Sequence, residues 1–241
     1  MYTLFCQKEM GEYPPYPLTQ QLTNFLKHPR ANGVFVSPGF ISRTDYMIST
    51  FLEGFLKENN RNLVTYFALG NQNDYIPEAG QLVPQDAFKK HEDVIKSQKI
   101  EWLDIDRSNA SDHRKMVFIF QVLCDPEDFI TNVTRSNYAD FLNQIDILAV
   151  AIGSSNFSYK TYSLAKSINT FKALECESDI LMFKDDVNDQ FVQDYVNAIV
   201  QESENNRDQQ YRLVLSRSVT CTPPDFLKKI FKESLEMILK K

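Results

Sequence analysis

The sequence predicts an α/β fold in which helices flank a mixed, layered β-sheet. Short apolar runs typical of buried strands alternate with longer segments whose apolar residues recur at helical spacing. The strand–helix–strand–helix–strand order of the first half predicts that part of the sheet is parallel. With 241 residues, of which 43% are hydrophobic and 24% charged, the chain can bury one core. No stretch resembles a long linker, so we expect a single domain over residues 1–241.

Residues that begin or end regular structure bound the elements of the first half. Pro38 and Gly39 end the first apolar strand. Ser42 or Asp45 caps the next helix, and Pro84 opens the one after it. The predicted elements are a short helix around Leu22–Lys27, a strand at Gly33–Ser37, a helix around Met47–Leu56, a strand at Leu63–Leu69, a helix from Pro84 to Lys96 and a strand at Ile100–Ile105.

The second half repeats this alternation around a polar insertion, Cys124–Gln144, which separates two strongly apolar strands. Pro223 and Pro224, followed by Asp225, precede a last segment with one apolar stripe. The predicted elements are strands at Met116–Leu123 and Ile147–Ile152, a short helix near Tyr138–Leu142 within the insertion, a helix after Tyr159, a strand at Ile180–Phe183, a helix at Val187–Glu204, a strand at Tyr211–Ser216 and a C-terminal helix over about residues 225–240.

The acidic charge of the chain is local. The net charge of −6 taken alone argues against a nucleic-acid substrate, because phosphate contacts usually come from clustered Lys and Arg. Residues 175–208, however, contain ten acidic and two basic residues, so the rest of the chain has a net charge of +2. We interpret the acidic stretch as the solvated outer face of a helix and its flanks, not as a metal site, since its carboxylates have no His or Cys companions at metal-ligand spacing.

Cysteine spacing and apolar run length predict a reduced, non-membrane environment. The four cysteines are scattered without a C-x-x-C pair, which is typical of free thiols in a cytoplasmic protein. The longest apolar run, Ile147–Ile152, is far shorter than the roughly 20 residues of a membrane-spanning helix. The first residues lack the pattern of a secretory signal. We therefore expect a cytoplasmic protein without membrane insertion.

Two short polar motifs stand at the ends of the two most apolar strands. His113, Arg114 and Lys115 come directly before the strand M-V-F-I-F, and the turn G-S-S-N at residues 153–156 directly follows I-L-A-V-A-I. Side chains alternate along a strand, so His113 and Lys115 share one face. If these strand ends are adjacent, an imidazole nucleophile lies among hydroxyl, amide and ammonium donors. Such donors suit a phosphoryl group.

This motif order resembles the phospholipase D superfamily, whose signature is H-x-K followed after a return strand by G-S-x-N. The segment I-G-S-S-N-F-S is similar to the corresponding segment of the family's nuclease, restriction-endonuclease-like branch. The resemblance extends from about Gly33 to Ser216 and implies a phospholipase D-like fold. Two departures stand out. Phe120 stands at the position of the family's aspartate. The chain also has one H-x-K copy, because neither His28 nor His91 is part of a second one. A single copy implies a homodimer with the site on its two-fold axis.

The resemblance also assigns roles to residues. It implies that His113 attacks phosphorus to form a phosphohistidine while the second subunit's copy protonates the leaving group, without a metal or another cofactor. Lys115 and Asn156, aided by Ser154 or Ser155, would hold the phosphoryl oxygens. The candidates for the acid that orients the histidine are Glu177 first, then Asp179, then Glu175. The candidates for contacting a flanking phosphate are Arg114, Arg107 and Lys160.

The leading hypothesis is a metal-independent phosphodiesterase, most simply a nuclease, with DNA as the first candidate substrate and RNA as the second, in a setting such as restriction or phage defence. A hydrolase of lipid or small-molecule phosphodiesters is the first alternative, and Phe120 counts against it. A binding module that has kept the fold without activity is the second. Because Lys and Arg are in so little excess, we expect weak, salt-sensitive nucleic-acid binding and a partner protein that delivers the substrate. The sequence leaves open whether insertion 124–144 gates the site or builds the dimer.

Overall fold

The computed structural model describes ten segments of the chain. They are residues 1–8, 17–37, 64–69, 100–104, 115–125, 128–129, 138–154, 177–205, 211–218 and 226–233. The predicted helices around Met47–Leu56, from Pro84 to Lys96 and after Tyr159 lie outside these residues.

The described residues form eight strands and four helices, besides a helical fragment at residues 128–129. The strands are β1 (Tyr2–Lys8), β2 (Gly33–Ser37), β3 (Val64–Leu69), β4 (Ile100–Asp104), β5 (Met116–Val122), β6 (Ile145–Gly153), β7 (Glu177–Phe183) and β8 (Tyr211–Arg217). The helices are α1 (Pro17–Phe25), α2 (Tyr138–Asn143), α3 (Gln190–Asn205) and α4 (residues 226–233). None of these helices is long and apolar enough to cross a membrane.

All eight strands belong to one mixed sheet in the order β4-β3-β2-β5-β6-β7-β1-β8. The pairs β4–β3 and β3–β2 are parallel, as the strand–helix alternation predicts. Every other neighbouring pair is antiparallel. The motif strands β5 and β6 are adjacent at the centre of the sheet, so the ends that carry the two motifs meet.

The buried side chains fall into two clusters, between which strand residues alternate. Val34, Val36, Val117 and Ile119 belong to the first cluster, together with residues of α1 and α3. Phe35, Phe118 and Phe120 belong to the second, where Leu227 and Phe231 of α4 pack against them. This alternation follows from the period of two in an extended strand. The face of the sheet that packs on α1 and α3 is called the first face below, and the opposite side the second face.

Phe120, at the position where the resembled signature has an aspartate, belongs to the apolar core. The side chain is fully buried on the second face, near a register shift between Ile119 and Phe120. Its ring fills the space beside Gly33 on the neighbouring strand, where an added Cβ would lie 2.1 Å from the ring. A carboxylate at position 120 would be buried among aromatic rings, which costs several kcal/mol without a partner.

Strand β1 was not predicted, although the sheet depends on it. It lies between β7 and β8 and pairs antiparallel with both. Its pattern is a regular alternation in which Tyr2, Leu4 and Cys6 are buried and the residues between them are less so. The alternation is visible in the sequence, but polar Thr3 and Gln7 keep it from standing out as an apolar run.

The interpretation of residues 175–208 as a solvated face is wrong for several of its acids. Asp179 is only 2% exposed. Asp185 accepts hydrogen bonds from Arg217 at 2.7 and 3.1 Å, and Asp189 lies 2.9 Å from His28 Nε2. These carboxylates serve contacts between elements, which a count of charges along the chain does not reveal.

Candidate active site

The two motif segments lie side by side at one end of the sheet. Met116 pairs with Ile152 across β5 and β6, so Lys115 and Gly153 are the next pair along. The Gly153 backbone N–H donates to the Lys115 carbonyl oxygen at 3.3 Å. Lys115, the last residue of H-x-K, therefore neighbours Gly153, the first residue of G-S-x-N.

This pair belongs to a row of residues that crosses four strands. Gly153 is paired with Asp179 on β7, and Asp179 with Cys6 on β1. By strand alternation the row faces the first face of the sheet, because Cys6, Val117 and Leu181 belong to that cluster. We define the Asp179 row as Lys115, Gly153, Asp179 and Cys6. The row places an ammonium, a carboxylate and a thiol on one face of the sheet, with no side chain at Gly153.

Gly153 has to be glycine because of its neighbour Asp179. A Cβ added at Gly153 would lie 1.9 Å from the Asp179 carboxylate oxygen Oδ1, 2.6 Å from its Cγ and 2.7 Å from its backbone Cα. Real Cβ atoms do not come this close, so the carboxylate occupies the volume that a side chain would take. Asp179 therefore reaches from β7 over β6, in the direction of β5 and Lys115.

Ser154 closes the strand pair just beyond Gly153. Its backbone N–H donates to the Ser178 carbonyl oxygen at 3.1 Å, and its hydroxyl Oγ accepts the Ser178 backbone N–H at 2.9 Å. The side chain thus replaces a backbone partner where the ladder ends. The side chain predicted to contact a phosphoryl group has a structural role in holding the G-S-x-N turn against β7.

The thiol at the buried end of the row does not act as a nucleophile. Burial raises the pKa of Cys6 far above its usual value, and the charges of Asp179 and Glu202 raise it further. The thiolate is the reactive form of cysteine, so a thiol held protonated is inert. Cys6 acts as a small apolar neighbour of Asp179.

A buried tyrosine behind the row ties α1 to α3. Burial raises the pKa of Tyr195 well above its usual value, with Cys6 and Glu202 as smaller causes. Its hydroxyl donates to the Gln21 carbonyl oxygen at 3.2 Å, and Gln21 Nε2 donates to Glu202 Oε2 at 3.0 Å. These bonds fix the two helices beneath the Asp179 row.

The structure places part of the predicted site. Lys115, Ser154 and the alternative acid Asp179 are described, and the backbone of Glu177 lies on β7, opposite Lys8 of β1. The remaining predicted site residues lie outside the described residues. They are His113, Arg114, Ser155, Asn156 and Glu175, together with Arg107 and Lys160. The roles of all these residues stay predictions.

His28 lies toward the other end of the sheet, in a structural role. Its side chain is 2% exposed, and Nδ1 accepts the Arg30 backbone N–H at 3.0 Å, so Nε2 carries the hydrogen that is donated to Asp189. Asp189 in turn accepts the Phe191 backbone N–H at 3.0 Å, as a helix N-cap does. The ring therefore joins the end of α1 to the start of α3, in keeping with the prediction that it is not a second catalytic histidine.

Comparisons with known proteins leave the family open. No family model matches the chain, and no curated protein matches it. Among solved structures, phosphatidylserine synthase from Haemophilus influenzae Rd KW20 has a TM-score of 0.39 at 15% identity, over 98% of this chain and 45% of that one. Polyphosphate kinase from Porphyromonas gingivalis has a TM-score of 0.38 at 10% identity, over 83% of this chain and 24% of that one. The chain spans less than half of either protein, and at these scores the likenesses establish neither fold family nor activity.

Proposed function

We propose that the chain is a metal-independent phosphodiesterase with a phospholipase D-like fold, and specifically a nuclease that cleaves DNA. The observation that carries the proposal is the hydrogen bond from Gly153 N–H to the Lys115 carbonyl oxygen. It joins the last residue of H-x-K to the first residue of G-S-x-N, as a shared phosphoryl site requires. Two motifs that are each common alone become informative when they lie on paired strand ends.

The proposed reaction is a double displacement at phosphorus. An imidazole nitrogen of His113 attacks phosphorus, the bond to the leaving oxygen breaks, and the partner subunit's His113 donates a proton to that oxygen. The same partner histidine then takes a proton from water, whose oxygen attacks phosphorus and releases His113. Lys115 and Asn156, aided by Ser154 or Ser155, stabilise the charge on the non-bridging oxygens. Arg114 would contact a flanking phosphate.

Two acids of β7 compete for the role of orienting His113. Glu177 and Asp179 are two residues apart on β7. Glu177 lies nearer the end of the sheet where H-x-K begins. Asp179 is supported by its burial and by a carboxylate that lies over Gly153. Glu177→Gln and Asp179→Asn separate them, since the orienting acid should slow catalysis much more than its neighbour does.

The charge of the chain supports a partner that delivers the substrate. Outside residues 175–208 the net charge is only +2, so the protein should hold DNA weakly and lose it steeply with salt. We therefore propose that it works with a targeting partner. The single H-x-K copy supports a homodimer with a shared site, and the scattered cysteines support a cytoplasmic location. Restriction or phage defence is proposed as the setting by association with the resembled family.

The test is cleavage of plasmid DNA in excess EDTA by purified protein. We expect wild-type cleavage, loss by a factor of 10³ or more in His113→Ala and Lys115→Ala, and no loss in His91→Ala, the matched control. Cleavage that disappears with EDTA, or survives in His113→Ala, would refute the mechanism. Hydrolysis of a phospholipid headgroup without cleavage of DNA or RNA would select the alternative hydrolase. A folded protein that cleaves none of these, even with its partner, would be a binding module.

A further inference from the structure

Strand β8 is at the edge of the sheet and presents an exposed apolar residue at its centre. Among the described strands its only neighbour is β1. Val214 is 57% exposed, more than any other large apolar side chain in these strands. Val214 pairs with Phe5, and Phe5 with Ile180, which is 38% exposed. A row of apolar side chains on the second face therefore runs across β7 and β1 and ends, uncovered, at the edge.

The hydrogen-bond pattern of β8 shows which backbone groups point outward. Met1 and Ser218 bond each other in both directions, at 3.0 and 2.9 Å. In an antiparallel ladder such pairs recur at every second residue, so Val214 bonds inward to β1 while Leu213 and Leu215 direct their backbone groups away from it. Ser203 Oγ agrees with this direction, since it donates to the Leu213 carbonyl oxygen at 3.0 Å.

The order of residues in β8 suits pairing with a second copy of itself. In an antiparallel pair with Val214 on the two-fold axis, Leu213 stands opposite the partner subunit's Leu215, with both sets of backbone groups directed at each other. Arg212 falls opposite the partner's Ser216, and Tyr211 opposite the partner's Arg217, so no arginine faces another. If the pairing were shifted by one residue, backbone groups that point toward the partner would face backbone groups that point away from it. A shift by two residues would leave fewer residues of the two strands paired.

We propose that β8 is a self-association edge, at which two copies of the chain join their sheets into one. The apolar row Ile180, Phe5, Val214 then continues into the partner's row, and the two Val214 side chains cover each other. Strand alternation assigns position 212, an arginine, to the second face, where the register sets it opposite the partner's Ser216. The side chains described on this part of the face are uncharged, which matters for a chain of net charge −6. They are Thr3, Phe5, Ser178, Ile180, Met182, Val214 and Ser216.

This interface is separate from the proposed shared active site. The strands β6, β7 and β1 lie between β8 and the strand that follows Lys115. The two contacts would act on different two-fold axes; where these axes cross at a right angle the two contacts together close a tetramer, while β8 pairing alone gives a dimer. Loss of one contact halves the particle mass without removing the other.

The first test compares Val214→Lys with Val187→Lys by sedimentation velocity and light scattering at several concentrations. Val187 is 62% exposed but lies in the turn after β7, so it is a matched control. Two lysines on the axis repel, so Val214→Lys should halve the particle mass and raise the dissociation constant about tenfold or more. Val187→Lys should keep the wild-type mass. A monomeric wild type, or equal masses for the two variants, overturns the proposal.

The second test does not depend on Val214→Lys folding well. Directly opposed residues that do not exchange hydrogen bonds have Cα atoms about 4.5 Å apart, within disulfide range. Val214→Cys should therefore form a covalent dimer on mild oxidation, while Val187→Cys and the wild type do not. Equal cross-linking of the two variants overturns the β8 register. Because DNA cleavage by Val214→Lys should persist, these outcomes are distinct from failure of the nuclease proposal.

Discussion

Substitution of Gly153 by alanine tests the packing at the centre of the site. The new methyl carbon would lie 1.9 Å from Asp179 Oδ1 and 2.7 Å from the Asp179 Cα. The carboxylate can rotate away, but the backbone Cα can move only if β6 and β7 separate. Overpacking of this kind typically costs about 1–3 kcal/mol. For a chain of this size that corresponds to a melting temperature lower by roughly 2–12 °C.

The matched control is Gly33→Ala at the other end of the sheet. There the new methyl would meet the ring of Phe120 at 2.1 Å, which is also overpacking, but far from the motifs. Both variants should lower the melting temperature in a thermal unfolding experiment. Only Gly153→Ala should also lose DNA cleavage, measured at a temperature where both variants are folded, because it displaces Asp179 and the start of the G-S-x-N turn.

The double variant Gly153→Ala with Asp179→Ala adds a further check. Removing the carboxylate relieves the contact with Oδ1 but not the one with the Cα, so the combined loss of stability should be smaller than the sum of the single losses. If Gly153→Ala melts at the wild-type temperature and cleaves at the wild-type rate, Asp179 does not lie against Gly153. The description of the Asp179 row would then be wrong.

Two more predictions concern groups outside the reaction. His28→Ala removes the hydrogen bond to Asp189 and the ring nitrogen that accepts the Arg30 N–H. Urea denaturation should show that the free energy of unfolding falls by about 1–3 kcal/mol, while DNA cleavage is unchanged. An unchanged free energy of unfolding would contradict the structural role of His28. The free energy of unfolding should fall above about pH 9, the ordinary pKa of a thiol. In the unfolded chain Cys6 ionises at this pH, whereas in the folded protein its raised pKa keeps the thiol protonated. Cys6→Ala should flatten this alkaline loss, and an identical pH profile would contradict the assigned burial.

Seven of the eight described strands, β2 to β8, are predicted from the sequence because each is a short apolar or alternating run. The runs at Gly33–Ser37 and in β5 and β6 needed no tertiary information, since burial on both faces selects continuous apolar sequence. Strand β1 is not predicted because its partner strands β7 and β8 begin more than 170 residues later, and only that pairing makes its alternating segment an interior strand of the sheet.

The candidate site was predictable only as far as local sequence reaches. H-x-K and G-S-x-N could be recognised because each motif is contiguous. The place of Asp179 depends on the register of β7 against β6, which no local pattern specifies, so Glu177 and Asp179 could not be separated from the sequence. Cys6 belongs to the Asp179 row only because β1, which was not predicted, pairs with β7. Its neighbour Asp179 also looked like one more surface acid in an acidic stretch, since burial is a property of the fold.

The most direct measurement of the central claim is a search for the covalent intermediate. Protein mixed with a DNA substrate labelled at the scissile phosphate would be quenched under alkaline denaturing conditions, which preserve phosphohistidine, and digested for mass spectrometry. We expect a phosphoryl-linked nucleotide on the peptide that contains His113, in wild type and not in His113→Ala. An adduct on another residue, or rapid cleavage with no adduct on His113 at any time point, would contradict the proposed nucleophile.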